Sequence, residues 1–249
     1  MVMFYFSATG NSKCIAELFC QSMHAACHSI EEDINFDDLI ASNDTICFCY
    51  PVFGSRVPRL MRKFATNHMA SLKSKKLIIF CTQMYFSGDG ARAFTDVFPR
   101  GFAEIIYAEH FLMPNNVCNL FITPLAGDKL VKKYLSKSNA KMQAVCRDIT
   151  NGVIRKRGFN PVSRALGLIQ GVFVPRIEKW ARGRVWVDSD CNNCRLCVSI
   201  CPVNNFEHKN GKIETKNNCM MCYRCVNKCP QKAITVSLRT KVKTQYKGV

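Results

Sequence analysis

Two copies of one cysteine pattern near the C-terminal end constrain this chain more than any other feature. Each copy reads C-x-x-C-x-x-C-x-x-x-C-P, and the second copy lies 28 positions after the first. A repeat of this kind indicates two copies of one structural unit. The residues of the pattern are Cys191, Cys194, Cys197, Cys201 and Pro202 in the first copy, and Cys219, Cys222, Cys225, Cys229 and Pro230 in the second.

The spacing of these cysteines is typical of iron–sulfur ligation. Two-residue gaps let three thiolates face inward from one turn, and the cysteine before the proline ligates the other cluster. The sequence therefore predicts two [4Fe-4S] clusters with crossed ligand sets. The first set is Cys191, Cys194, Cys197 and Cys229, and the second is Cys219, Cys222, Cys225 and Cys201. Structural zinc is the alternative, but a zinc site needs four ligands and not two interlocked sets of three plus one.

This segment resembles the bacterial two-cluster ferredoxins over residues 185–236. The resemblance implies a small α+β domain, with a strand at Val185–Val187 paired with Ile234–Val236 and a hairpin turn between Phe206 and Ile213. One residue departs from the family pattern, because Arg195 stands where the family usually has glycine. A cation beside a cluster would raise its potential, so potentials cannot be borrowed from the family.

Length and composition leave room for a second domain in front of this one. The chain has 249 residues, of which 48% are hydrophobic, enough to build a sizeable core. Its N-terminus lacks the basic residues and cleavage site of a secretory signal, so we expect a reducing, cytoplasmic location. Of the 16 cysteines, eight remain outside the repeat, and most of these are expected to be small core residues.

Three apolar runs in the first 90 residues predict buried strands that each end in a loop suited to ligand contact. The first run, Val2–Phe6, precedes the sequence Ser-Ala-Thr-Gly-Asn-Ser and a helical pattern. Strand, hydroxyl-rich turn and helix together form a typical phosphate site. The other runs are Thr45–Cys49 and Leu77–Cys81. Because the carboxyl ends of parallel strands meet at one sheet edge, the three loops should lie together. Further on, Ala91–Phe98 and Asp128–Thr150 suit helices, and Ile105–Leu112 suits a strand.

These three loops resemble those of the flavodoxin family over residues 1–150. The resemblance implies an α/β doubly wound parallel sheet with strand order 2-1-3-4-5 and one bound FMN. Candidate stacking residues are Tyr50, Phe53, Tyr85 and Phe86. The FMN phosphate would be held by Ser7, Thr9, Gly10, Asn11 and Ser12. The flavin ring would lie between Pro51, Val52, Phe53 and Gly54 on one side and Thr82, Gln83, Tyr85, Phe86, Ser87, Gly88 and Asp89 on the other.

The net charge of +17 is concentrated in the segments outside the two domains. Residues 151–184 form a linker that mixes an apolar run with Arg and Lys, and residues 238–249 form a basic tail. We expect the linker to pack against the two domains, with contact to an anionic membrane surface as the alternative. The charge predicts an acidic redox protein as partner, such as a ferredoxin, a flavodoxin or a reductase. No nucleic-acid motif is present.

A flavodoxin-like half (1–150), a linker (151–184), a ferredoxin half (185–237) and a tail (238–249) together resemble the fused flavodoxin–ferredoxin proteins of anaerobic bacteria and archaea. That resemblance implies electron transfer between one-electron clusters and FMN, and onward to a redox partner. The alternative is an FMN-dependent reductase of a quinone or nitro compound, with Asp89 and Tyr85 as the candidate proton donors. A non-redox phosphate sensor would leave the clusters without a role.

The cysteine repeat generates the first testable prediction. Protein purified without oxygen should contain about eight iron atoms and about eight acid-labile sulfides per chain, because the repeat supplies two complete ligand sets. Colorimetric iron and sulfide assays on protein of known concentration measure both. Stoichiometric zinc without labile sulfide would contradict the prediction.

Overall fold

The structure is a computed structural model that describes residues 1–53, 55–86, 88–119 and 125–249. A six-stranded parallel sheet with strand order β2-β1-β3-β4-β5-β6 organises the first part of the chain. Its strands are β1 (Val2–Tyr5), β2 (Ala26–Ser29), β3 (Thr45–Pro51), β4 (Lys76–Gln83), β5 (Glu104–Leu112) and β6 (Arg155–Lys156). The first five strands have the predicted order.

Helices cover both faces of this sheet. They are α1 (Asn11–Met23), α2 (Phe36–Ala41), α3 (Arg59–Asn67), α4 (Met69–Leu72) and α5 (Asp128–Thr150), with a 3-10 helix at Arg92–Val97. One face carries an aromatic core in which Phe64 of α3 lies 5.4 Å from Phe4 and 4.8 Å from Phe36, centroid to centroid. The other face packs α1 and α5 against the sheet, with Phe19 at 5.1 Å from Phe80. The central strands are apolar on both faces because both are covered.

The cysteine repeat is also a repeat in the backbone. Helix α8 (Leu196–Ile200) follows Arg195 and helix α9 (Arg224–Lys228) follows Tyr223, and both preceding residues have left-handed backbone, with φ of 61° and 62°. Such a conformation favours glycine, which explains the glycine that the ferredoxin family has at the position of Arg195. Two short antiparallel pairs complete this unit: β7 (Val185–Val187) with β10 (Ile234–Val236), and β8 (Phe206–Lys209) with β9 (Lys212–Thr215).

The linker is built onto the first domain rather than suspended between the two. Its start, β6, pairs in parallel with β5 through Tyr107 and Ala108. Two helices follow, α6 (Pro161–Gly171) and α7 (Val174–Ala181). They bury Gly167, Gly171, Val174 and Ala181, so the linker packs on the first domain through β6 and these residues, while most of its large apolar side chains stay exposed. Across the described ranges, no helix is long and apolar enough to cross a membrane.

Candidate functional site

A cleft of about 250 Å³ opens at the carboxyl edge of the sheet, where β1, β3, β4 and β5 end. It brings together nine of the residues predicted to bind FMN: Ser7, Thr9, Asn11, Ser12, Pro51, Val52, Phe53, Thr82 and Gln83. A larger cavity of about 630 Å³ lies beside Leu77 and Ile105, near the amino ends of β4 and β5. Ligands of open α/β sheets bind outside the carboxyl ends, so the smaller cleft is the candidate site.

The loop after β1 is held in shape by its own hydroxyls and by distant chain segments. Gly10 N donates to Ser7 Oγ at 3.1 Å, and the Ser12 and Thr82 hydroxyls are 2.7 Å apart. Helix α1 begins directly afterwards at Asn11, so the first backbone N–H groups of this helix have no partner within the helix. Free amides and hydroxyls at a helix start are the donors that a phosphate monoester requires.

Gln83 provides the observation that tests whether a flavin fits this cleft. Its Oε1 atom is buried and accepts no hydrogen bond from the described residues. A buried acceptor without a donor costs about 1–3 kcal/mol, and a ligand N–H group in the cleft would remove that cost. The flavin ring carries such an N–H group. The cleft residues therefore fit FMN, with donors at the phosphate end and an unpaired acceptor at β4.

The remaining predicted flavin residues that the structure describes do not line the cleft. Tyr50 is buried, donates to Gly90 O at 3.0 Å and packs on Phe94, so it belongs to the core. Tyr85 and Phe86 are 66% and 53% exposed. Asp89 is buried and pairs with Arg92 at 2.6 Å. Gly88 lies against α6, Gly10 precedes α1, and Gly54 and Ser87 lie outside the described residues.

Sequence reasoning missed one whole side of the cleft. The loop after β5 contributes five lining residues, Met113, Pro114, Asn115, Asn116 and Val117, and the cluster-binding repeat contributes Met221. Asn116 donates to Thr9 Oγ1 at 3.1 Å and to Cys222 O at 3.4 Å. The signal that identified the other three loops, a polar turn at a strand end, is also present after β5. No sequence signal points to Met221.

The cysteines of the first predicted set surround one small cavity. Cys191, Cys194, Cys197 and Cys229 line it together with Arg195. Burial, together with nearby Cys191, Cys229 and Cys194, raises the pKa of the Cys197 thiol to about 11. Thus Cys229 of the second copy lies with three cysteines of the first.

The second predicted set likewise combines one cysteine of the first copy with three of the second. Burial, together with the nearby sulfurs of Cys219 and Cys201, raises the pKa of the Cys222 thiol to about 12. Burial also raises the pKa of the Cys225 thiol, and the sulfurs of Cys219 and Cys201 contribute to this increase. Equivalent backbone amides, those of Asn205 and Ala233, donate to the sulfurs of Cys201 and Cys229 at 3.2 and 3.4 Å. Across the described parts of the chain, no three Cys, His, Asp or Glu side chains form a single-ion metal site.

Arg224 joins the two domains at the flavin cleft. Its guanidinium donates to Ser7 O at 2.7 Å and to Ala8 O at 3.1 Å, and forms two hydrogen bonds with Glu31, of 2.6 and 2.7 Å. The same group donates to Ile200 O, next to Cys201. One side chain of the second cysteine run therefore holds the start of the phosphate loop.

The C-terminal tail also reaches the phosphate loop. Tyr246 donates through its hydroxyl to Asn11 Oδ1 at 2.6 Å, and its backbone N–H donates to Asn227 Oδ1 at 2.7 Å. The backbone of Gly248 lies so close to Thr9 that an added Cβ would be 2.9 Å from Thr9 O. The tail therefore closes the phosphate end of the cleft against α9.

Family comparison identifies both halves of the chain. A model described as a flavodoxin domain matches residues 2–153, which is more than half of the chain. The chain belongs to the flavodoxin domain family. A second model, described as a 4Fe-4S dicluster domain, matches residues 190–234. This flavodoxin-domain protein thus has the fused architecture that its two cysteine runs and three loops indicated. A comparison with curated proteins found no match.

Several solved structures resemble the flavodoxin domain. Oxidised flavodoxin 2 from Bacillus cereus is 17% identical and has a TM-score of 0.41, with 59% of this chain and 97% of that chain covered. Two-electron reduced Megasphaera elsdenii flavodoxin is 23% identical and has a TM-score of 0.38, covering 57% and 99%. The assignment of the fold rests on the strand order and the family match. Together they imply FMN in the first domain and two [4Fe-4S] clusters in the second.

The phosphate loop generates the second prediction. Replacement Thr9→Ala or Ser12→Ala should weaken FMN binding roughly tenfold to a hundredfold each, because a hydrogen bond to a charged group contributes about 1.5–3 kcal/mol. Titration of flavin-free protein with FMN, followed by quenching of flavin fluorescence, measures the affinity.

The matched control for this prediction is Thr66→Ala. The Thr66 hydroxyl donates to Arg62 O on an exposed turn of α3, far from the cleft lining, so its loss should leave the affinity unchanged. Equal affinity in all three variants and the parent protein would show that the loop does not bind the phosphate.

Proposed function

We propose that this iron–sulfur flavoprotein carries electrons from an acidic redox protein, through its two cluster sites in sequence, to FMN. An electron-transfer role follows from the two matched domains. The order in which electrons pass through the two cluster sites and FMN is what we add to that role. Clusters exchange single electrons, whereas a flavin holds one or two. The clusters and the flavin together therefore couple one-electron transfer to two-electron transfer.

The observation that carries the proposal is the contact between the second cysteine set and the flavin cleft. Met221 lies between two ligand cysteines, Cys219 and Cys222, and also lines the cleft. Asn116 bridges Thr9 of the phosphate loop and the Cys222 carbonyl. The set formed by Cys201, Cys219, Cys222 and Cys225 is therefore adjacent to the flavin site, and none of the four cysteines of the first set lines that cleft.

The first set is positioned to receive electrons from outside. Cys194 is exposed at the protein surface, whereas Cys222 and Cys225 of the second set are buried. Lys241 of the tail pairs with Asp190, the residue before Cys191, at 2.7 Å. Lys232 donates to the Lys243 carbonyl, which keeps a further cation of the tail at this end of the ferredoxin unit. An acidic partner would meet this basic surface beside the first cluster site.

Of the two candidate proton donors for the reductase alternative, Asp89 is not available for proton transfer. Asp89 is 2% exposed and its carboxylate is held by Arg92, which also forms a bidentate pair with Asp96. An ion-paired carboxylate away from the cleft lining does not deliver a proton to a substrate above the flavin. Only Tyr85 remains, and it lies on the exposed outer surface.

The third prediction tests the crossed ligand sets and their place in the route. Replacement Cys201→Ser should perturb the same cluster signal as Cys225→Ser, and Cys229→Ser the same signal as Cys197→Ser, because the cysteine before each proline serves the other site. Electron paramagnetic resonance of the dithionite-reduced variants separates the signals. Each variant should also slow flavin reduction by a ferredoxin donor at least tenfold.

The control is Cys27→Ser, which changes a half-buried cysteine of β2 outside both sets. It should keep both cluster signals and the parent rate of flavin reduction. Pairing of Cys201→Ser with Cys197→Ser would overturn the crossed assignment. A flavin reduced at the parent rate in the ligand variants would show that electrons bypass the clusters.

The fourth prediction concerns the partner. Reduced acidic ferredoxin should reduce the flavin rapidly at low salt, and the rate should fall steeply as the Debye length shrinks to about 8 Å near 0.15 M salt. The double variant Lys241→Gln, Lys243→Gln should flatten this dependence in stopped-flow traces. The linker cations Arg155 and Arg157, which pair with Asp148 and Glu109, form the alternative docking surface.

Lys132→Gln, Lys133→Gln provides the matched control, since it removes the same charge from the exposed side of α5. The rate of flavin reduction in this variant should depend on salt as it does in the parent protein. A rate independent of salt in the parent protein, or equal effects of both double variants, would exclude the tail as the docking surface.

A further inference from the structure

Helices α6 and α7, with the two residues between them, present most of their large apolar side chains to solvent. Eight of them are between 38% and 69% exposed, and we call them the linker face: Val162, Leu166, Leu168, Ile169, Val172, Phe173, Ile177 and Trp180. Most follow each other at intervals of three or four positions, which places them along one side of the helices. Monomeric proteins rarely expose a contiguous apolar surface of this kind without a binding role.

The orientation of the two helices is fixed by what lies beneath them. Gly167 packs directly on the Asp89 carboxylate, where an added Cβ would be 1.7 Å from Oδ1. Gly171 packs on the Arg56 guanidinium in the same way, with an added Cβ at 2.3 Å from Nε. Arg56 Nε also donates to Gly171 O at 3.2 Å. An added Cβ at Gly167 would displace a buried, ion-paired carboxylate, so the close approach favours glycine there and holds this side of α6 against the first domain.

The same segment is strongly basic. Residues 151–187 contain eight Lys and Arg residues and one acidic residue, Glu178, which is already paired with Arg62 at 3.3 Å. Arg176, Lys179 and Arg182 follow each other at intervals of three positions beside Phe173, Ile177 and Trp180. None of these three cations has an ion-pair partner among the residues that the structure describes. Apolar side chains flanked by unpaired cations are typical of helices that lie in the headgroup region of a membrane.

We propose that α6 and α7 dock this protein on the surface of an anionic lipid bilayer, with the linker face inserted and the flanking Arg and Lys residues at the lipid phosphates. Charge complementarity selects this occupant. A second copy of the chain would bring two +17 molecules together through their most basic segments. An acidic protein would match the cations but would need its own apolar surface to cover eight large side chains.

Tyr85 and Phe86 are two further exposed aromatic side chains in the loop that contacts α6. Both are exposed, and they lie two to three residues before Gly88, whose backbone is against Ser163 and Gly167 of α6. An aromatic side chain with a polar tip is suited to the interface between lipid and water. Trp180 has a similar position on α7, where the Arg184 guanidinium lies 4.2 Å from its ring centroid.

Co-sedimentation with sucrose-loaded vesicles tests the proposal on the full-length, flavin- and cluster-loaded protein at about 0.1 M salt. The protein should pellet with phosphatidylcholine vesicles that contain about 30% phosphatidylglycerol, and remain in the supernatant with phosphatidylcholine alone. The double variant Ile169→Asp, Phe173→Asp should reduce binding more than a hundredfold, since each side chain loses the gain from burial. The triple variant Arg176→Gln, Lys179→Gln, Arg182→Gln should reduce it roughly a hundredfold, at about fivefold per charge.

Matched controls change the same kinds of residue on α5, on the other face of the sheet. These are Leu130→Asp, which replaces a side chain that is 46% exposed, and the triple variant Lys132→Gln, Lys133→Gln, Lys137→Gln. Both should bind vesicles as the parent protein does. Unchanged flavin and iron content in every variant verifies that the fold is intact.

Tryptophan fluorescence provides a direct readout of insertion. The chain has two tryptophans, and Trp186 lies half-buried in β7, so an emission shift to shorter wavelength on vesicle addition should come from Trp180 and vanish in Trp180→Phe. Failure to bind anionic vesicles, or equal loss in the α5 controls, would overturn the proposal. A dimer at micromolar concentration that dissociates in the Ile169→Asp, Phe173→Asp variant would identify a second copy as the occupant and also overturn it.

Discussion

The Arg224 guanidinium is the interaction on which the joint between the two domains depends. It is only 17% exposed and its N–H groups are divided between Glu31 and three main-chain carbonyls, two of them at the start of the phosphate loop. A planar guanidinium with five donors can satisfy all these acceptors at once, which a lysine ammonium cannot. The residue lies between Cys222 and Cys225, so the contact that joins the domains also brings the second cluster site to the flavin cleft.

Local spacing explains why so much of the cluster region could be predicted from sequence. The ligand cysteines, the β7–β10 pair and the hairpin around Asn210 depend on contacts whose geometry is fixed within a few residues or by the repeat itself. The central strands were predictable for a similar reason, since strands buried on both faces read as continuous apolar runs. Edge strand β2 has the sequence Ala-Cys-His-Ser and is only partly buried, so it carries no such run.

The contacts that complete the flavin cleft leave no comparable pattern. Arg224 and Tyr246 contact the phosphate loop, and Met221 lines the same cleft, from more than 200 positions away. Nothing in the neighbouring residues indicates which loop they will approach. A similar limit explains why the linker was expected to pack inward. Glycines within an apolar run are usually taken as helix breakers. Here Gly167 and Gly171 lie on the side of α6 that contacts the first domain, and the bulky residues between them face outward.

The two basic surfaces of the molecule therefore differ in chemistry. At the first cluster site, the tail cations Lys241 and Lys243 lie on a polar surface, where attraction acts at a distance and is screened by salt. On α6 and α7, cations flank large apolar side chains, so in the proposed docking, attraction would be followed by burial that salt does not remove. The first arrangement suits a partner that must leave after each electron, and the second suits a lasting attachment. Because α6 rests on Arg56 and Gly88, attachment there would hold the loops around the flavin cleft while the first cluster site exchanges partners.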